Sequence, residues 1–366
     1  MSRGAIFIAR RCRMGMFGAV SADSRQDFAF AFLSILFEGA PFILLGTLIS
    51  GFIDIYLPSN TMDRLLPRRT LPAILVAGLL GGILPVCECA VVPVIRRLVK
   101  KGLPVSCALT YMLAAPIVNP ITALSTWKAF KGPIVALGDM GTATASVVMT
   151  VSRLGLGFLV AVAVGLIVSM IPLRRLLRPK LVESIEAGEA SAPAGEPCGH
   201  DHEHGEGCCG HDHHHGHEHE GGSRMVAAFR SAMRDFTDVG VYFTIGVAIT
   251  ALFNTGIAPG AEWLDSLAAG TVGGPAALMA LAFVLSLCST SDAFIAATLH
   301  KFTWGAKLAF LTFGPMMDVK LIFLYQTVLR RRVILLLALG LFVGIGAAAI
   351  GWQAVISALN PPLSSQ

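Results

Sequence analysis

The chain has 366 residues, 54% hydrophobic and only 14% charged, with a mean hydropathy of +0.70 and a formal net charge of +5. Such a composition excludes a chain whose whole surface faces water, and the solvent it fits is lipid. Its Lys and Arg cluster at the ends of apolar runs, which marks membrane topology and gives no nucleic-acid footprint.

Residues 1–27 place Arg3, Arg10, Arg11 and Arg13 around an apolar run too short for a signal-peptide core, and are expected to form a cytoplasmic tail. Apolar segments follow at about 28–53, 72–95, 104–127 and 133–171, then at 236–255, 274–299, 306–326 and 333–357. A hydrocarbon core about 30 Å thick takes roughly 20 residues of helix. The expected fold is therefore all-α, a polytopic transmembrane helical bundle of about eight spans in two halves, 28–172 and 235–358, before a short tail, 359–366. Period-2 alternation, the mark of a membrane barrel, is absent. Between the halves, residues 173–234 are polar, with Pro179, Pro193 and Pro197, and read as a linker.

The halves repeat each other. Glu38 and Gly46 are answered 200 positions later by Asp238 and Gly246, and Leu84 to Cys87 by Leu285 to Cys288 at 201. Ala115-Pro116-Ile-Val-Asn119 is answered by Gly314-Pro315-Met-Met-Asp318 at 199. Duplicated halves with interrupted helices are one way that transporters build a central site. Four crossings before the linker put the amino-terminal tail, the basic turn at 96–101 and the linker ends in the cytoplasm of a bacterial inner membrane. The same parity leaves Arg330, Arg331 and Arg332 outside, against the rule, and the 133–171 stretch is long enough to be two spans.

The sharpest local signal is Pro85-Val-Cys87-Glu88-Cys89-Ala-Val-Val-Pro93, two thiols around a carboxylate, bracketed by prolines in an apolar run. Prolines open the helical ladder, and non-helical backbone is tolerated at membrane depth only where protein buries it or it lines a cavity. Two thiols there clamp a soft ion, because thiolates select Cu(I), Zn and similar thiophiles over Mg or Ca. Cys107 and Cys12 read as small apolar residues. Glu38, Glu88, Asp238, Asp292 and Asp318 fall in or beside spans, where an ionised group is expensive unless paired or facing water. Glu38 and Asp238 are candidates for proton coupling; the structural alternative for these acids is pairing with Lys320, Arg153 or Lys307. Pro116 with Asn119, and Pro315 with Asp318, supply helix breaks that face a substrate path or simply kink a packed helix. The substrate-binding candidates are thus Cys87, Glu88, Cys89, Pro116, Asn119, Cys288, Asp292 and Asp318.

Within the linker, residues 198–219 gather Cys198, His200, His202, His204, Cys208, Cys209, His211, His213, His214, His215, His217 and His219. Imidazole and thiolate suit Zn and Cu, so the tract is expected to bind metal as a capture antenna, a buffer or a sensor.

The Cys87-Glu88-Cys89 motif after Gly81-Gly-Ile-Leu-Pro85, the later Ala115-Pro-Ile-Val-Asn-Pro120, and the second copy around Cys288-Ser-Thr-Ser-Asp292 and Gly314-Pro-Met-Met-Asp318 resemble the ArsP-type predicted permeases. The resemblance implies about eight spans, a cytoplasmic central loop, and Cys87 and Cys89 as the binding centre. Members with a long His/Cys-rich loop resemble a copper/zinc efflux branch, while others export trivalent organoarsenicals. The function expected is export of Zn or Cu by a non-enzymatic permease. Its partners are membrane lipid and a metal or metalloid ion, with no nucleic acid and no permanent cofactor beyond transported or loop-bound Zn or Cu. Organoarsenical transport is the first alternative. A membrane thiol oxidoreductase is the second, disfavoured because no nucleotide fingerprint, haem-attachment motif or C-x-x-C pair is visible. No ATP-binding P-loop is visible either, so pumping draws on an ion gradient or a separate partner. The sequence sets no oligomeric state.

Overall fold

Long apolar runs with few breakers become helices, and the prolines decide where those helices stop. A computed structural model describes residues 22–56, 67, 69–83, 87–131, 142–179, 181–183, 220–257 and 270–359. In chain order the helices are α1 (Ala22–Tyr56), α2 (Thr70–Ile83), α3 (Glu88–Lys100), α4 (Val105–Ala114), α5 (Pro120–Ala129), α6 (Thr142–Ser169) and α7 (Leu173–Leu176). After the linker come α8 (Glu220–Ile257), α9 (Gly273–Leu285), α10 (Ser291–Thr298), α11 (Trp304–Met316), α12 (Val319–Tyr325) and α13 (Arg331–Leu359). The architecture is a helical membrane bundle, and each of the eight expected apolar segments is helical over its described residues, with 84–86 and 133–141 lying outside them. Four are single long helices (α1, α6, α8 and α13) and four are broken in two (α2–α3, α4–α5, α9–α10 and α11–α12).

The two proline breaks satisfy their freed backbone groups from side chains, as a site away from water requires. Asn119 caps α5 by accepting from the Ile121 amide, and Asp318 caps α12 by accepting from the Leu321 amide at 2.6 Å. The carbonyls left over also find donors: Thr122 Oγ1 donates to Pro116 O, and Tyr325 Oη to Met316 O, both at 2.9 Å.

The direction of each helix follows from its neighbours. α1 and α8 are antiparallel, with Gly39 against the Phe243 ring and Gly51 against Ala228 and Ala232. α3 ends where α1 ends, because Arg97 Nη1 reaches Asp54 Oδ2 at 2.9 Å. α2 begins at that same face, since Pro67 and Thr70 share a pocket with Val105, Ser106, Val168 and Ser169. α2 therefore enters the bundle and α3 returns to the starting face, a re-entrant hairpin that turns before Cys87. α4 and α5 instead continue in one direction along α6, from Thr110 beside Gly165 to Ile117 beside Gly157 and Thr126 beside Arg153.

The second half is the first turned over. α9 lies along α11 with Ala282 near Gly314, so the two start at a common face. α10 returns towards Trp304, which touches Phe130 at the end of α5. This is a second re-entrant hairpin, entering from the opposite face. α11–α12 then crosses the bundle, and α13 runs back antiparallel to α6, with Trp352 Nε1 donating to Ser152 Oγ at 2.9 Å. Each half thus has three crossings and one hairpin, in inverted orientation, the arrangement of many secondary transporters.

Three crossings before the linker, not four, change the charge pattern. The face where α6 ends carries Arg96, Arg97, Lys100 and Lys101, the linker end with Arg174, Arg175 and Arg178, and also Arg330, Arg331 and Arg332. Arg330 N donates to Leu176 O and Arg178 N to Val328 O, which ties that basic run to the start of the linker. The three arginines that four crossings would strand on the far side therefore obey the positive-inside pattern. α1, by contrast, starts at the face opposite the linker.

Candidate functional site

Both hairpin tips and both helix breaks meet inside the bundle. At one of these meetings Cys87, Glu88 and Cys89, at the start of α3, face Cys288 from the second hairpin and Lys320 from the first turn of α12. They line a cavity of about 10 Å³, the room of roughly one water molecule, whose remaining lining is Ile35, Glu38, Gly39 and Phe42 of α1 and Phe243 of α8. Cys87 and Cys89 both line this cavity, Cys89 buried and Cys87 partly exposed. Cys288 Sγ also lies 3.4 Å from Thr290 Oγ1.

The charges of the site are almost fully buried: Glu88 is 2%, Asp318 0% and Lys320 4% exposed. Lys320 Nζ is 3.2 Å from Glu88 Oε1 and 3.5 Å from Asp318 Oδ2, and it donates to the Ser286 carbonyl at 2.9 Å. One ammonium thus offsets two carboxylates in a low-dielectric setting, where an unpaired charge is costly. The offset is incomplete, because Glu88 Oε2 and Asp318 Oδ2 have no hydrogen-bond partner. Ser286, at the tip of the second hairpin, adopts φ 48°, a left-handed conformation that aims its carbonyl at the lysine. Close approach of backbones holds this centre together: Gly46 of α1 lies against Ala90, and Gly246 of α8 against Lys320.

A related meeting occurs in the other orientation. Arg153 of α6, completely buried, bonds Asp292 of α10 at 2.8 Å, the Ser289 carbonyl at 3.0 Å and Thr126 Oγ1 at 2.7 Å. Each hairpin tip is therefore clasped by a cation from a neighbouring helix, yet only the first clasp has thiols beside it.

Of the residues expected at the site, Cys87, Glu88, Cys89 and Cys288 line the cavity, and Asp318 joins them through Lys320. Asp292 belongs to the Arg153 clasp. Pro116 and Asn119 form the α4–α5 break, which packs against α2 through Ala115 on Gly81. Glu38 is at the cavity wall, whereas Asp238 is exposed on α8 and pairs with Arg96 at 3.4 Å, so the repeat does not bring these two acids together. The histidine and cysteine tract at 198–219 lies outside the described residues. Among the described residues no group of three or more His, Cys, Asp or Glu side chains is gathered to hold a metal ion.

Two features carry no clear sequence signal as parts of the site. The first is Lys320, which reads from the sequence as a pairing partner only. Between Leu308 and Tyr325 the charged residues are Asp318 and this lysine alone, and a lysine in so apolar a run is itself a marker of function. The second is a cluster at the linker face: Arg97 bonds Asp54 of α1 at 2.9 Å and Asp235 of α8 at 2.8 Å, and Ser231 and Ser50 complete it. In the sequence, Arg97 is indistinguishable from an ordinary topology marker.

Comparison with known proteins gives a match to a family model described as a predicted permease over residues 26–351. The UPF0718 protein YcgR of Bacillus subtilis is 33% identical over 308 residues, covering 84% of this chain and 90% of that protein. A protein of Streptococcus mutans whose name describes a putative two-component membrane permease complex subunit is 29% identical over 325 residues, covering 88% and 93%. No solved structure matches the chain.

Proposed function

The chain belongs to the ArsP-type predicted permease family, and we propose that it exports a thiol-seeking metal ion, copper(I) before zinc, across the bacterial inner membrane. The observation that carries this reading is that Cys87, Cys89 and Cys288 line one small cavity between the two hairpins, a lining that would have to draw together to ligate an ion. A structural zinc site takes four ligands, and here the carboxylates beside the thiols are already engaged by Lys320. Thiolates suit both copper(I) and zinc, and three thiols fall one short of the four ligands of a structural zinc site. A cation on the thiolates would add charge beside Lys320, which Glu88 and Asp318 offset. Glu38, at the cavity wall, is the acid suited to take up or release a proton in exchange for the cation. The basic residues on the linker face favour a cytoplasmic position for it, and on this reading the tract at 198–219 captures or senses the metal there.

A second reading, transport of trivalent organoarsenicals, is favoured by the apolar wall of Ile35, Phe42 and Phe243, which suits an organic substituent. Cells producing the chain separate the two when copper and organoarsenical accumulation are measured side by side. Cys87→Ser or Cys89→Ser is expected to weaken export roughly 10–100-fold, the usual scale of a damaged metal site. Removal of residues 198–219 is expected to harm copper handling alone. Unchanged copper accumulation in both serine variants overturns the proposal, and organoarsenical export without copper export selects the second reading.

A further inference from the structure

A groove of about 990 Å³, sharing no lining residue with the thiol cavity, lies between α6 and α13. Its walls are aliphatic, with Leu156 and Leu159 on one side and Leu336 on the other, while Gly340 and Gly344 add no side chain to its floor. A methyl group built on either glycine would meet nothing within 4 Å. The polar residues lining the groove are Arg175, Arg330 and Arg332, all at its linker-face end.

These arginines are held together by construction. Arg330 N donates to Leu176 O at 3.0 Å, Arg178 N to Val328 O at 3.1 Å, and Arg330 Nε to Leu177 O at 2.9 Å. The segment that carries Arg175 is thereby fastened to the turn that carries Arg330 and Arg332. Among the described residues no ion pair joins any of the three to a carboxylate. Three like charges fixed at one rim repel one another unless an anion sits between them.

We propose that this groove binds one anionic phospholipid, its phosphate on Arg175, Arg330 and Arg332 and an acyl chain along α13. The dimensions suit that occupant. From Arg332 to Ala348 the helix rises about 24 Å, longer than the roughly 15 Å of hydrocarbon in one leaflet, so the groove accepts an extended chain below a headgroup at interface depth. Basic pockets between helices on the cytoplasmic side are a recurrent setting for anionic headgroups. The charge at the rim is what separates this occupant from a second copy of the chain, which would need only the small residues of the floor.

The test uses the full chain, purified in a non-ionic detergent and exposed to phosphatidylglycerol or phosphatidylcholine with identical acyl chains. Retained lipid per chain is then counted by mass spectrometry. The unaltered protein is expected to retain phosphatidylglycerol in preference, and R175Q/R330Q/R332Q to lose that preference while keeping its helical content. Each single arginine variant is expected to weaken retention by roughly fivefold. Gly344→Leu, which fills the floor, is expected to reduce retention of both lipids. Equal retention of the two lipids by the unaltered protein overturns the proposal, as does an undiminished preference in the triple variant. A Gly344→Leu change that dissociates a cross-linkable dimer and leaves lipid retention untouched also overturns it, in favour of a second copy.

Discussion

At the scale of residues, Lys320 holds the centre together. It is the cation for both Glu88 and Asp318, and breaking a buried pair by removing one partner costs about 3–5 kcal/mol. Lys320→Met is therefore expected to melt far below the unaltered protein in detergent, and adding Glu88→Gln to recover part of the loss; an unchanged melt contradicts this role. Cys107, buried within α4 and absent from the cavity, supplies the contrast to Cys89: Cys107→Ser is expected to leave transport intact. The thiol pair was legible in the sequence because two prolines and a carboxylate around two cysteines leave few bland explanations. The pairing of the acids was not, since an acid in an apolar run shows that a partner is needed without showing which one, and the partner of Glu88 lies 232 positions away.

At the scale of elements, the breaks and the close approaches decide the shape. A methyl group on Gly46 would press into the Ala90 backbone, whereas one on Gly340 meets open space. Gly46→Ala is thus expected to lower stability by about 1–3 kcal/mol, and Gly340→Ala to stay within about 0.5 kcal/mol, both read from thermal unfolding in detergent. Equal effects would mean that α1 does not seat on α3 as closely as the structure has it. Among the described residues hydropathy located every segment, because burial in lipid demands an apolar run wherever the chain passes. It could not show that 72–95 and 274–299 turn back, since both arms of a hairpin are as apolar as one continuous helix. The proline-bracketed motif at Cys87 marked the turn without giving its direction.

At the scale of the molecule, the inverted halves put Arg96 and Arg331 on one face and Lys131 and Lys301 on the other. Cysteines introduced at these four positions are expected to react with a membrane-impermeant maleimide in those two pairs, and reaction of Arg331→Cys from the same side as Lys301→Cys would contradict the inverted arrangement. The duplication itself was visible in three offsets close to 200, but its inversion was not, because equal spacing is compatible with either orientation and the parity depends on how many segments cross. The central claim is that the thiols between the two hairpins carry the cargo. Its most direct measurement is copper(I) uptake into everted membrane vesicles that contain equal amounts of the unaltered chain, Cys87→Ser or Cys89→Ser. The account predicts gradient-dependent uptake by the unaltered chain and a loss of roughly 10–100-fold in either variant; uptake that persists in both variants at the unaltered rate would contradict it.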